Sequence, residues 1–243
     1  MQLYSYGSNQ GSRELTTERS CPLSNGSNTR AKGWGGARNF KNRTTIALRQ
    51  EHAEGILSAI AVADLTGLTL NRFWTVNYER AGIEDSTGAR FIGNLLAQCN
   101  RYARTNGGQF AAVWVREIGP KNGAHVHIAL HFPTGWKLSG HLTRKWIKRA
   151  SGRYCAKVSD IRPIGGHLDC VLTSPAHYWA NAEAMANYML KGSGDDVADE
   201  LGLRLRKCGG QVVGKRWGRT QNLKPSKIPE QSICLRPKAS HKA

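Results

Sequence analysis

Residues 125–132 (HVHIALHF) alternate without a break. Successive side chains of a β-strand point to opposite faces, so His125, His127, Ala129 and His131 share one face. Val126, Ile128, Leu130 and Phe132 share the other, and this apolar set belongs on a core. The segment must be a sheet strand that sets His125 and His127 side by side, about 7 Å apart along the backbone. His131 stands about 13 Å from His127 by the same spacing, too far to share an ion with them. The preceding run, 109–118 (QFAAVWVREI), also alternates, with Phe110, Ala112, Trp114 and Ile118 on the core side and Val115 and Glu117 on the other. With 119–124 (GPKNGA) as the turn, the two runs make a hairpin. A three-residue loop at Lys121-Asn122-Gly123, with Gly123 left-handed, places Glu117 opposite His127, whereas a two-residue Asn-Gly loop sends the carboxylate to the core side. In the first register His125, His127 and Glu117 can converge on one divalent metal. Mixed imidazole and carboxylate ligation suits Mg²⁺ or Mn²⁺, and it also suits zinc.

Other elements follow from period and punctuation. Residues 46–64 suit a helix weakened at Gly55, and 72–78 (RFWTVNY) a strand. Residues 88–105 suit a helix closed by Asn106-Gly107-Gly108, 138–150 a basic helix and 156–164 a fourth strand. Residues 175–191 form a helix with Ser174 as N-cap, Pro175 at its first position and Gly192 as its stop. The order predicts an α+β domain whose helices pack on one sheet face and leave the other open to a ligand.

The chain of 243 residues carries 35 Lys and Arg against 17 Asp and Glu, a formal net charge of +18. Residues 1–50 hold eight basic and two acidic side chains, and 204–243 hold eleven and one. The chain therefore reads as a basic, flexible arm over 1–45, a balanced body over 46–203 and a basic extension over 204–243. Such an excess of cations fits a phosphate-rich partner, because each neutralised phosphate releases a counterion. Arg144, Lys145, Lys148 and Arg149 on the basic helix are candidate contacts, as are Lys215, Arg216, Trp217 and Arg219 in a basic loop with one stacking aromatic. The six cysteines form no C-x-x-C pair and read as reduced thiols. No apolar run approaches a membrane span, and the N-terminus has no apolar leader stretch, so a cytoplasmic protein is expected. The string 209–216 (GGQVVGKR) resembles a P-loop but lacks the Ser or Thr after its lysine.

On the helix 175–191, Trp179, Ala182, Ala186, Met189 and Leu190 make one stripe at helical spacing, read as the core face. Asn181, Ala184, Tyr188 and Lys191 make another on roughly the opposite side, so Tyr188 stands off the core, one turn from a lysine. A tyrosine and a metal site on a basic scaffold suit attack of a phenol on a phosphodiester, with a cation offsetting developing charge.

At these residues the chain resembles the His-hydrophobe-His endonucleases, specifically the single-tyrosine rolling-circle replication initiators of plasmids and small phages. Residues 73–78 (FWTVNY) resemble the first motif strand, His125-Val126-His127 the metal motif and Tyr188-Met189-Leu190-Lys191 the Tyr-x-x-Lys motif, in the family's order. The resemblance covers about residues 70–192. It implies a central antiparallel sheet of about five strands flanked by helices, similar to RNA-recognition-motif and ferredoxin-like folds. It implies Tyr188 as the nucleophile that becomes joined to a 5′-phosphate of nicked single-stranded DNA, and Lys191 as a catalytic group near the phosphate. His125, His127 and Glu117 are then ligands of Mg²⁺ or Mn²⁺. The implied partners are a hairpin-bearing origin and the host's replicative helicase and polymerase, in a bacterial cytoplasm. Where two-tyrosine members have a second tyrosine one turn earlier, this chain has Ala184. Other readings stay open: a transposase or relaxase with the same motifs, a DNA-binding protein without catalysis, and a zinc hydrolase that makes no use of Tyr188.

Overall fold

The computed structural model describes residues 43–207 and 209–225; the arm expected over 1–45 falls almost wholly outside them, as does the end of the C-terminal extension. The elements in order are β1 (Thr44–Thr45), α1 (Gln50–Leu65), β2 (Arg72–Val76), α2 (Asp85–Thr105), β3 (Ala111–Gly119), β4 (Gly123–His131) and α3 (Gly140–Ser151). They continue with β5 (Ser159–Pro163), α4 (Cys170–Thr173), α5 (Pro175–Leu190), α6 (Asp195–Glu200), β6 (Val212–Val213), β7 (Trp217–Arg219) and a 3₁₀ turn at Gln221–Leu223. The fold is α+β, built on a five-stranded antiparallel sheet in the order β5-β2-β4-β3-β7.

Both faces of the sheet are covered, where one open face was expected. Trp74, Val76, Ala112, Trp114, Val126 and Ile128 pack against the apolar side of α2 and against Trp146 and Ile147 of α3. Ala111, Val113, Val115 and Ala129 pack against α1, α5 and α6. The second core exists because the residues alternating with the first set are small or apolar along most of their length. Towards the β3–β4 turn that face becomes polar, at Glu117, His125 and His127. The site therefore occupies one end of a sheet face whose other end is roofed by helices.

Local chemistry explains most boundaries. Ser139 caps α3 by accepting the Leu142 N–H, and Gly152 closes it at a left-handed φ of +86°. Helix α1 runs unbroken through Gly55. The glycine is there for contact: a Cβ would stand 2.4 Å from the Trp217 ring, and the Gly55 carbonyl accepts from Arg219. On α5 the buried stripe includes Tyr178, Ala182, Met185, Ala186 and Met189, while Trp179, expected on the core face, is 40% exposed. Tyr178 wins the core position because its hydroxyl donates to the Leu70 carbonyl, which satisfies its one polar atom.

The stretch 214–219, read as a basic loop, instead supplies the edge strand β7. Trp217 pairs with Val115 and Arg219 with Val113. Arg216 is buried and donates to the carbonyls of Thr45 and Gly210, so it braces the chain from inside rather than offering a phosphate contact. A second internal brace sits on the far side of β3. Arg116, fully buried, donates to the Asp85 carboxylate, to the Tyr78 hydroxyl and to the carbonyls of Val213 and Lys215. The other Asp85 oxygen accepts the Val213 N–H. One ion pair thus ties the start of α2 and the centre of the sheet to the C-terminal segment. Breaking a buried pair strands the surviving charge, so Asp85→Ala is expected to lower unfolding free energy by about 3–5 kcal/mol in urea titrations. A loss below about 1 kcal/mol would mean that the pair is not a brace.

Candidate metal and tyrosine site

The hairpin puts Glu117 directly opposite His125, not His127. The three-residue loop is displaced by one position, with Gly119 facing Gly123 across Pro120, Lys121 and Asn122. Glu79 holds this register by accepting the Ala124 N–H, and the Asn77 side chain donates to the Asn122 carbonyl. Gly123 is left-handed as expected, at φ +61°. The shift is two residues, and an even shift keeps every side chain on its expected face. Thr75 lies beside His127 on the neighbouring strand β2.

One ligand atom from each of Glu117, His125 and His127 can be chosen so that all three lie within 4.8 Å of one another, and all three residues are buried. The imidazole Nε2 atoms stand 3.6 Å (His125) and 3.5 Å (His127) from Glu117 Oε2. The ring centroids of the histidines are 4.8 Å apart, closer than the strand spacing because the side chains lean together. His125 Nδ1 is 2.8 Å from the Gly123 carbonyl oxygen. A carbonyl only accepts, so Nδ1 is the donor there, and Nε2 is the atom that faces Glu117. His127 Nδ1 is 3.0 Å from Thr75 Oγ1, which fixes that ring too. His131 bonds the Thr69 carbonyl and lies outside the group, as the spacing required.

These residues fit a divalent metal. Two imidazole Nε2 atoms and a carboxylate converge, with the Lys191 ammonium on the carboxylate. His127 Nε2 and Glu117 Oε1 are buried and make no hydrogen bond among the described residues. Both ligating histidines have a second partner that orients them, as metal-bound imidazoles do. Burial alone would raise the Glu117 carboxyl, but the two imidazoles and the Lys191 ammonium outweigh it and hold the group ionised well below the usual carboxylate range. Burial pushes His127 down to about 4, keeping it neutral and able to ligate.

Helix α5 brings the second half of the site. Tyr188 is half-buried, its ring edge-on to His127 at 4.9 Å and to Phe73 at 5.9 Å. Lys191, at the end of the helix, places Nζ 2.5 Å from Glu117 Oε2 and 3.8 Å from the centre of the Tyr188 ring. Burial lowers Lys191 even with Glu117 as partner. Burial, with Glu117 second, raises Tyr188. The helix end is fixed from outside: the Leu48 N–H donates to the Gly192 carbonyl and the Gly194 N–H to that of Leu48. Gly192 passes so close that a Cβ there would lie 3.6 Å from Glu117 Oε1 and 3.3 Å from Gly209 Cα.

The structure thus brings together His125, His127, Glu117, Tyr188 and Lys191, five residues from β3, β4 and the end of α5. It does not bring Arg144, Lys145, Lys148 and Arg149 to them; α3 covers the opposite face of the sheet. Lys215 and Arg219 lie over the rings of Trp114 and Trp217, and Trp217 is packed on α1. Three contributors escaped the sequence reading. Thr75 and Phe73 share the site face of β2, which its alternation could have shown. A cavity of about 380 Å³ opens beside His125, edged by Thr75, Asn77, Arg80, Lys157 and Arg162. Its residues come from three separated segments, so no local pattern marks it.

The chain matches no protein-family model, no curated protein and no solved structure. No helix among the described residues is long and apolar enough to cross a membrane.

Two outcomes follow. Mn²⁺ titrated calorimetrically should occupy one site, weakened at least tenfold in Glu117→Gln and in His127→Ala. Without metal, stability should fall as pH drops from 6.5 towards 4. The unfolded chain takes up a proton on His127 near 6.5, while the folded chain resists until about 4. Denaturant unfolding at a series of pH values checks this, and His127→Asn should flatten part of the fall.

Proposed function

We propose that the protein is a metal-dependent single-stranded DNA nicking and joining enzyme that starts rolling-circle replication of a mobile element. One observation carries the reading. Tyr188, the only tyrosine in the site among the described residues, lies against a candidate metal-ligand histidine with an ammonium group over its ring. A zinc hydrolase would have no role for that tyrosine, and a binding module would have none for the convergent buried acceptors.

Glu117, His125 and His127 would hold the metal, which when bound would polarise the scissile phosphate as a Lewis acid. The chain's own residues do the rest. Phe73 and His127 fix the plane of the Tyr188 ring. Its hydroxyl oxygen attacks phosphorus, forming a P–O bond to tyrosine while the bond to the 3′-oxygen breaks. The phenol proton ends on that 3′-oxygen, so charge and atoms balance: a 5′-phosphotyrosine and a free 3′-hydroxyl. The raised Tyr188 pKa means that the phenol enters protonated and loses its proton in the step. The Lys191 ammonium favours the developing phenolate and the crowded phosphate charge. Mg²⁺ and Mn²⁺ are the ions that suit this work, since transfer needs an open coordination position and weakly held oxygen ligands. A bacterial cytoplasmic setting, an origin with a hairpin, and host helicase and polymerase as later partners belong to the same proposal.

The test is a pool of labelled hairpin-bearing oligonucleotides, incubated with the protein and Mn²⁺ and run on a denaturing gel. A covalent DNA–protein band should form, disappear with chelator, and fall at least a thousandfold in Tyr188→Phe. No band from DNA that the protein binds would favour binding without catalysis. A metal-dependent cut with no covalent band would favour hydrolysis by a metal-bound water.

A further inference from the structure

The charges on the helices are divided between the two faces of the sheet. The helices of the site face, α1, α4, α5 and α6, contain eight acidic side chains and no Lys or Arg. The two helices of the opposite face, α2 and α3, contain seven Lys and Arg and one acid. That acid is Asp85, already paired with the buried Arg116. Among the helices, the excess of cations therefore lies on the face remote from the metal ligands.

The cations form one surface. On α2, Arg90, Arg101 and Arg104 are exposed, and at 100° per residue they fall within about 60° of arc. They span fourteen residues of helix, about 21 Å, the length of about six base pairs at 3.4 Å each. On α3, Arg144, Lys145, Lys148 and Arg149 are all exposed and occupy the side turned away from buried Trp146 and Ile147. The two helices pack on one another, so both rows share one layer.

The surface is cationic without being sticky. Trp146 and Phe91 are buried, and no exposed large apolar side chain of the described residues lies on α2 or α3. Unstacked bases need aromatic platforms, and a membrane surface needs apolar side chains to insert. Among the described residues, α2 and α3 expose neither. A regular double helix, by contrast, offers its phosphates and asks for no stacking partner. The half-buried rings on this side are already engaged: Tyr102 packs edge-on against Trp136 and Trp146, and Arg144 lies over Tyr154.

We infer that the α2–α3 face is a separate duplex-binding surface, which holds double-stranded nucleic acid through its phosphates while the opposite end of the sheet handles a single strand. This shares with the nicking proposal only the premise that the partner is nucleic acid.

Fluorescence anisotropy tests it with the full chain, a labelled 20-bp DNA duplex and a 20-nucleotide single strand over a range of salt. Arg144→Glu combined with Lys148→Glu should weaken duplex binding at least tenfold and reduce the slope of log K against log salt by about 2, since each phosphate contact contributes about 0.9. Single-strand affinity should change less than threefold. Arg101→Ala with Arg104→Ala, on the other helix, should act in the same direction, which guards against a folding defect in the first variant. A 20-bp RNA duplex in parallel distinguishes the two kinds of double helix, either of which meets the inference. Equal losses for duplex and single strand would overturn it. So would unchanged duplex binding, or variants that lose only binding to vesicles containing 30% phosphatidylserine. The readout needs no nicking, so a failure of the Tyr188 chemistry would be separately visible.

Discussion

The carboxylate of Glu117 is the group around which the site is arranged. It is buried on a sheet face, ionised, and faced by the Nε2 atoms of two imidazoles. An ionised carboxylate away from water costs several kcal/mol unless a positive partner stands beside it. Lys191 supplies that charge from the end of α5, and a divalent ion among the three ligands would supply more of it. The position of α5 is therefore coupled to the chemistry of β3. Leu48 and Ser193 bridge the segment ahead of α1 to the residues just beyond the helix, holding Lys191 and Tyr188 over the histidines. A tyrosine, a cation and three residues that could hold a metal ion converge on one buried charge.

The fold separates tasks by end and by face. Apolar side chains fill both faces of the sheet along most of its length, which leaves polar chemistry confined to the end near the β3–β4 turn. There the cavity beside His125 gives an entry lined by Arg80, Lys157 and Arg162. Lys157 reaches this place with a left-handed φ of +61°, unusual for a residue with a side chain. The acidic site-face helices leave the local positive field to Lys191 and the cavity edge. The basic opposite face carries charge in a flat, extended form that suits phosphates spaced along a helix.

Much of this was legible in residues 109–132. Strict alternation assigns His125, His127 and Glu117 to one face, and the even parity of the hairpin protects that assignment from an error of two in register. The register itself depended on Glu79 and Asn77, 45 residues away in sequence from the groups they bond, which no local pattern reports. Helix α5 was readable from Ser174, Pro175 and Gly192. The roles of Tyr178 and Trp179 were not, because the choice turns on whether a hydroxyl finds the Leu70 carbonyl. Strand β7 is three residues long and rich in cations, so its local signal is that of a loop. Its place in the sheet comes from Trp217 against Gly55 and from Arg116 gathering the preceding carbonyls. Buried arginines read from sequence as surface charge, and Arg116 and Arg216 show why such readings fail when a carboxylate or several carbonyls await them.

Anomalous scattering from crystals soaked in Mn²⁺ tests most directly whether the three acceptors are a metal centre. A single strong peak should lie within about 2.2 Å of Nε2 of His125, Nε2 of His127 and a carboxylate oxygen of Glu117, with the Tyr188 ring still beside His127. No peak at this position under saturating Mn²⁺, with Lys191 remaining the only cation on Glu117, would contradict the account.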